Sequence, residues 1–103
     1  MATVVITKDN FEELVVKSDK VVLLDFYADW CGPCKMVAPT VHAIAEEHEE
    51  YLIGKINVDD DPELAQAFDI VSIPTLVVMK DGKVASKSAG ARPKAQILAM
   101  VGK

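Results

Sequence analysis

The clearest pattern in the chain is the apolar run Val21-Val22-Leu23-Leu24, interrupted only by Asp25 before Phe26-Tyr27-Ala28. A run that stays apolar on both phases of the pleat predicts a strand buried on both faces, the centre of a sheet. Ahead of it, Thr3 to Ile6 is a short β-branched run. Asp9 with Glu12 makes a capping-box-like start for a helix through about Lys17, its apolar stripe supplied by Phe11, Leu14 and Val15. Beyond the central run the period lengthens. From Pro33 to about Glu49, Val37, Val41, Ile44, Ala45 and His48 recur on one helical face, and Pro39 is expected to bend that helix. Tyr51 to Val58 reads as a third strand. Asp61-Pro62-Glu63 then supplies a cap, a first-turn proline and an acid for a short helix to about Phe68. Thr75 to Lys80 and Lys83 to Lys87 flank Asp81-Gly82, the signature of a two-residue antiparallel hairpin. Gly90 precedes a last helix entered at Pro93, with Ile97, Leu98 and Val101 facing the core.

The resulting order, β-α-β-α-β-α-β-β-α, contains no repeat and no linker-like stretch. It predicts an α/β architecture: one domain over residues 1–103, with a mixed central sheet of about five strands and four helices on its two faces. Composition agrees. With 103 residues, 50% of them hydrophobic and 26% charged, the chain is long enough to bury about two-thirds of its unfolded surface without a staple. A net charge of −5 with no Lys/Arg stripe argues against a nucleic-acid partner. The N-terminal residues lack a basic leader with an apolar core, and no apolar run approaches the roughly 18 residues of a membrane span, so no membrane association and a cytoplasmic location are expected.

The candidate chemistry lies between the central strand and the long helix, in Trp30-Cys31-Gly32-Pro33-Cys34-Lys35, which holds both cysteines of the chain. Three readings compete: a redox couple, half of a metal site, or a structural staple. A bridge across two intervening residues removes little entropy from the unfolded chain, so stability is a poor reason for it. A metal site needs four ligands, and the available set of Cys31, Cys34, His42 and His48 has its histidines off one helical face at ligand spacing. No metal is therefore expected. The run Asp59-Asp60-Asp61 lacks the spacing, glycine and terminal glutamate of a calcium loop, and reads as capping and solvated charge.

For the redox reading, Cys31 at a helix start and Cys34 one turn on lie within disulfide reach. Gly32 permits close approach to the sulfurs, and Pro33 presets the first helical turn. An ordinary thiol is only about 3% ionised at pH 7, and lowering its pKa to about 7 requires roughly 2 kcal/mol. The helix dipole supplies at most about that much, so a hydrogen bond from the Cys34 thiol is expected to add to it. Cys31 is then the nucleophile and Cys34 the resolving thiol. Asp25 is either a strand-end residue reaching water or a buried carboxyl able to hold or relay a proton near neutral pH, with Lys55 as its partner. Trp30 reads either as core or, beside exposed cysteines, as part of a docking surface.

At this point the chain resembles the thioredoxin family over essentially its whole length. The matching stretches are Asp25 through Met36, Ala38-Pro39, Asn57-Val58-Asp59, Ser72-Ile73-Pro74-Thr75 and Lys80-Asp81-Gly82. The resemblance implies the thioredoxin fold and a general protein thiol-disulfide oxidoreductase, acting through a Cys31/Cys34 dithiol-disulfide couple and a mixed disulfide. Cys31 would attack, Cys34 resolve, and Asp25 with Lys55 form the buried acid-base pair. A cis Ile73-Pro74 bond is also implied, against the roughly 5 to 6% frequency of cis at X-Pro in general. Trp30, Gly32, Pro33, Ile73, Pro74, Gly90 and Ala91 would line a surface on which an extended substrate docks by strand addition.

The Gly32-Pro33 dipeptide resembles that of the reducing members of the family. No cofactor beyond the cysteine couple is implied. Electrons would come from an external thioredoxin reductase, dependent on NADPH or ferredoxin, and the partners would be disulfide-containing proteins met by a monomer. Tyr27 stands where many members carry a second tryptophan, while Ala89, Ala91 and Arg92 lie where members vary. A remaining reading, a non-enzymatic subunit of a larger assembly, uses the same fold without the thiols.

Overall fold

The computed structural model describes residues 3–103; Met1 and Ala2, at the head of the stretch read for a leader, lie outside them. The apolar run forms β2 (Val21–Tyr27), the middle of a five-stranded sheet. On one side β2 pairs parallel with β3 (Tyr51–Asn57), which pairs parallel in turn with β1 (Val4–Val5). On the other side it pairs antiparallel with β4 (Thr75–Lys80), which pairs antiparallel with β5 (Lys83–Ala89). The spatial order is β1-β3-β2-β4-β5.

Alternation along β2 explains why an uninterrupted apolar run was needed. Leu23, with Ile53, Leu76 and Val78, faces α1 (Gly32–Glu47) and α3 (Lys94–Met100), which contribute Val37, Val41, Ile44, Ala45 and Ile97. Val22, Leu24 and Phe26, with Ile56, Val77 and Met79, face the other way, against Val15 and against Leu64 of α2 (Pro62–Ala67). Each fully buried Leu or Phe stabilises the fold by about 1.5–3 kcal/mol, so both faces of β2 contribute. On the second face Phe68 stacks against both Phe26 and Phe11, at ring-centre distances of 5.3 and 5.7 Å.

Two local features follow from single residues. A β-carbon on Gly54 would stand 2.6 Å from Cγ1 of Ile6 and 3.1 Å from Cδ2 of Leu24. Glycine there allows Ile6 to close over β3. At the hairpin, Asp81 (φ 52°) and Gly82 (φ 76°) both occupy the left-handed region, the pairing a two-residue turn between twisted strands requires.

Three expectations need correction. The first helix is not started by an Asp9/Glu12 capping box. It is one wide turn, Glu12–Val16, entered at Phe11 without a side-chain cap and closed by the Lys17 amide donating to Glu12 O at 3.0 Å. The side chain of Asn10 instead ties the preceding loop together, accepting from the Thr7 amide (2.8 Å) and donating to Val5 O (3.0 Å). Alpha1 ends at Glu47, with His48 as its cap, and β5 continues two residues past Lys87 to Ala89, because its register with β4 runs on to Thr75. Pro39 lies inside α1 without ending it. Among the described residues no helix is long and apolar enough to cross a membrane.

Candidate active site

Cys31 is the cap of α1. Its backbone is extended (φ −87°, ψ 111°), its amide donates to Ala28 O at 3.2 Å, and its sulfur accepts the Cys34 amide at 3.2 Å. Pro33 in the first turn has no amide to leave unpaired, so the first-turn donor aimed at sulfur is that of Cys34. Cys31 and Cys34 form a disulfide, with α-carbons 5.2 Å apart. Developing negative charge on the Cys31 sulfur would thus meet a backbone donor and the positive end of a 16-residue helix. The expectation of exposed cysteines is corrected: Cys31 and Cys34 are 4% and 3% exposed. Ala28, Tyr27, Val58 and Ile73 pack around them.

The chain after α2 supplies the opposite wall. The Ile73-Pro74 bond is cis, and the Ile73 carbonyl oxygen lies 3.7 Å from the Cys31 sulfur although the residues are 42 positions apart. Two further bonds hold this segment. The Gly90 amide, at φ 94°, donates to Pro74 O at 2.7 Å, and the Thr75 hydroxyl donates to Ser72 O at 2.6 Å. Gly90 therefore touches the segment directly, while Ala91 follows it as an exposed residue.

Trp30 stands at the rim, 71% exposed, its indole N–H donating to a carboxylate oxygen of Asp59 at 2.9 Å. Gly32 and Pro33 are exposed beside it. An open apolar cavity of about 360 Å³ runs from Trp30 and Ile73 across Val58, Ala65, Ile70 and Val71. Val71 is itself 95% exposed. Sequence reasoning missed this groove wall and the Asp59 anchor. The groove wall sits at the end of α2 and just after it, where Asp69 (φ 54°) turns the chain and the Ile70 amide returns to Ala65 O at 2.9 Å. A surface-bound Ile70-Val71 pair after a helix end was the available signal.

Asp25 is not a strand-end residue reaching water. It is 1% exposed, and neither carboxylate oxygen has a hydrogen-bond partner among the described residues. Burial pushes its pKa up to about 6, and the charge of Lys55 opposes that rise. Lys55 is the register partner of Asp25 on β3. No ion pair joins them; instead the ammonium sits 4.3 Å above the ring of Tyr27. A second cavity, about 380 Å³, is lined by Tyr27, Ala28, Asp29, Cys34, Lys35, Ala38 and Lys55, which connects the second cysteine with the lysine.

The residues weighed as metal ligands do not assemble. His42 faces Glu46 and His48 faces Glu50 along α1 and just after it, and among the described residues no group of three or more His, Cys, Asp or Glu side chains could hold a metal ion. Asp61, in the acidic run, is a helix cap as expected, accepting the Leu64 amide at 3.4 Å.

Comparison with known proteins agrees with this geometry. The family model described as Thioredoxin matches residues 2–103. A thioredoxin of Mycolicibacterium smegmatis is 49% identical over 94% of this chain and 89% of its own. One of Mycobacterium tuberculosis is 48% identical over 94% and 84%, and one of Streptomyces clavuligerus 46% over 90% and 87%. With a helix-capping cysteine couple set against a cis-proline segment in a fold matched from end to end, the chain belongs to the thioredoxin family and is a thiol-disulfide oxidoreductase.

Proposed function

We propose that the chain is a general reductant of protein disulfides in which Cys31 attacks, Cys34 resolves and Asp25 handles the proton. The observation that carries the division of labour is the Cys31 sulfur capping α1 and accepting the Cys34 amide. In the reduced protein the Cys31 thiolate attacks one sulfur of a substrate disulfide. The substrate S–S bond breaks, its second sulfur leaves as a thiolate and takes a proton, and a mixed disulfide remains. Cys34 then loses its proton and attacks the Cys31 sulfur, releasing the second substrate thiol and re-forming the Cys31–Cys34 bond. Substrate gains two electrons from the cysteine pair and two protons, one matched by the proton Cys34 gives up and the other taken from solvent, where Cys31 left its own on ionising.

Cys34 is buried and needs an acceptor for its proton at that second step. Asp25, raised to about 6 by burial, is ionised at neutral pH yet binds a proton more tightly than an ordinary carboxyl, and Lys55 moderates its charge. Substrate is read as an extended segment laid beside Ile73-Pro74, with Trp30, Gly32, Pro33, Gly90 and Ala91 around it and a side chain reaching the groove along Val71. Backbone recognition of this kind accepts many sequences. A thioredoxin reductase using NADPH or ferredoxin returns the couple to the dithiol, without a bound cofactor. This domain acts as a monomer in the cytoplasm.

The test is reduction of insulin disulfides by wild type, Cys31→Ser and Cys34→Ser. Cys31→Ser is expected to fall to background. Cys34→Ser is expected to accumulate a mixed disulfide through Cys31. Trapping through the other cysteine, or faster alkylation of Cys34 than Cys31 near neutral pH, would reverse the roles.

A further inference from the structure

Four side chains occupy one patch of the sheet on adjacent parallel strands: Asp25 opposite Lys55, and Tyr27 opposite Asn57. Residues two apart on a strand share a face, so all four point toward α1. Within this square the polar contacts are uneven. The oxygens of Asp25 have no hydrogen-bond partner among the described residues. Lys55, half-buried, has its ammonium 4.3 Å from the centre of the Tyr27 ring. Tyr27 stands opposite Asn57 in the register, and Asn57 Oδ1 accepts the Asp59 amide at 2.9 Å.

A lysine with four methylenes beside an open cavity would ordinarily extend its ammonium into water. The cavity lined by Tyr27, Cys34, Lys35 and Lys55 offers that route. Direct pairing with Asp25 would require desolvating both charges. The aromatic face offers a third position, attractive to a cation and inside the site.

We propose that Tyr27 is a positioning residue, its ring a seat that keeps the Lys55 ammonium beside the buried Asp25 instead of in solvent. The inference rests on the reading of Asp25 and Lys55 as the acid-base pair and adds what holds them together. The charged and titratable groups around the patch are Asp29 and Asp60, which act on Tyr27, Lys35 and Cys34 from α1 across the cavity, and His42 of α1, which lines a neighbouring cavity with Lys35 and Lys55. From β4 the neighbour of Asp25 is the apolar Leu76.

The test follows the Asp25 carboxyl carbon by NMR across pH 4 to 9 in the oxidised protein, where neither cysteine titrates. The variants are Tyr27→Trp, Tyr27→Phe and Tyr27→Leu, each in wild type and in Lys55→Met. Losing the ring in Tyr27→Leu is expected to raise the Asp25 midpoint by about half a pH unit, the scale of an exposed cation–π contact. Tyr27→Phe should stay near wild type, and Tyr27→Trp, with the stronger π face, should lower the midpoint. In Lys55→Met the series should collapse to a common value. A midpoint indifferent to the ring, or one that follows the ring equally without Lys55, overturns the seat. If Lys55→Met itself leaves the midpoint unmoved, the acid-base pairing beneath the inference fails instead. The Tyr27→Trp arm remains informative if Tyr27→Leu does not fold.

Discussion

Two aspartates are buried in this molecule, and they are buried differently. Asp61 is 6% exposed and fully employed: one oxygen takes the Lys8 amide at 2.6 Å and the other caps α2 through the Leu64 amide at 3.4 Å. Asp25 is 1% exposed and has no hydrogen-bond partner among the described residues. A buried polar group normally finds a partner, because leaving it without one costs about 1–3 kcal/mol or more when charged. Asp61 therefore holds two segments together, 53 positions apart, whereas Asp25 is an unstable placement maintained by the strand around it. The two burials of the same side chain are distinguished here by hydrogen-bond supply, not by depth.

The largest effect that sharpens this contrast is one of sign. The folded pKa of Asp25, about 6, lies above its ordinary 3.8, so the folded state binds the proton more tightly than the unfolded chain. Stability should therefore fall as pH rises from about 4 through about 6. Above that, the ionised carboxyl carries a constant penalty of about 3 kcal/mol. Asp25→Ala is accordingly expected to stabilise the fold by up to about 3 kcal/mol at pH 8, an advantage that vanishes near pH 4, as read by urea denaturation at the two pH values. Its reductase rate should fall in the opposite direction. An equal stability effect at both pH values would break the distinction.

Asp61→Ala should move stability the other way, by about 1–3 kcal/mol of loss, since it removes a helix cap and strands the Lys8 amide. Denaturant midpoints measure the loss, and insulin reduction by the folded variant should be unchanged. A third aspartate completes the series. Asp59 is exposed, and its side chain accepts a long-range hydrogen bond from the Trp30 indole. Asp59→Ala should leave stability within about 0.5 kcal/mol and raise KM for a protein disulfide about fivefold, the worth of one hydrogen bond of roughly 1 kcal/mol. A change in kcat with KM unmoved would show that the indole acts on the chemistry and not on docking.

Much of this was legible from the chain, and the reasons are local. The β2 run, the Asp81-Gly82 turn, the Asp61-Pro62 helix start and the apolar stripe of α1 each depend on residues a few positions apart, and the structure bears out each of them. The one clear local error, the capping box at Asp9, arose because the Asn10 side chain competes for the same loop through Thr7 and Val5. Composition and spacing could not rank such short-range alternatives. Family motifs led to the Ile73-Pro74 segment, but nothing in its own residues indicates a cis bond. The groove past Val71 left only the Ile70-Val71 pair after a helix end as a signal, and the Asp59 anchor left none, since each depends on what α2 and the strand-end turns approach in space.

By itself, then, the sequence determined the order and type of the elements and placed a cysteine couple at the start of a helix, because periodicity and capping are written over a few residues. Tertiary structure alone decided that β2 would lie between a parallel and an antiparallel neighbour. That choice put Lys55 across from Asp25 and Leu76 on its other side. It also brought Ile73 against Cys31 and left inside the sheet a carboxylate without a hydrogen-bond partner among the described residues. Those outcomes are set by register between distant segments, where a shift of one residue would exchange the two faces of every strand.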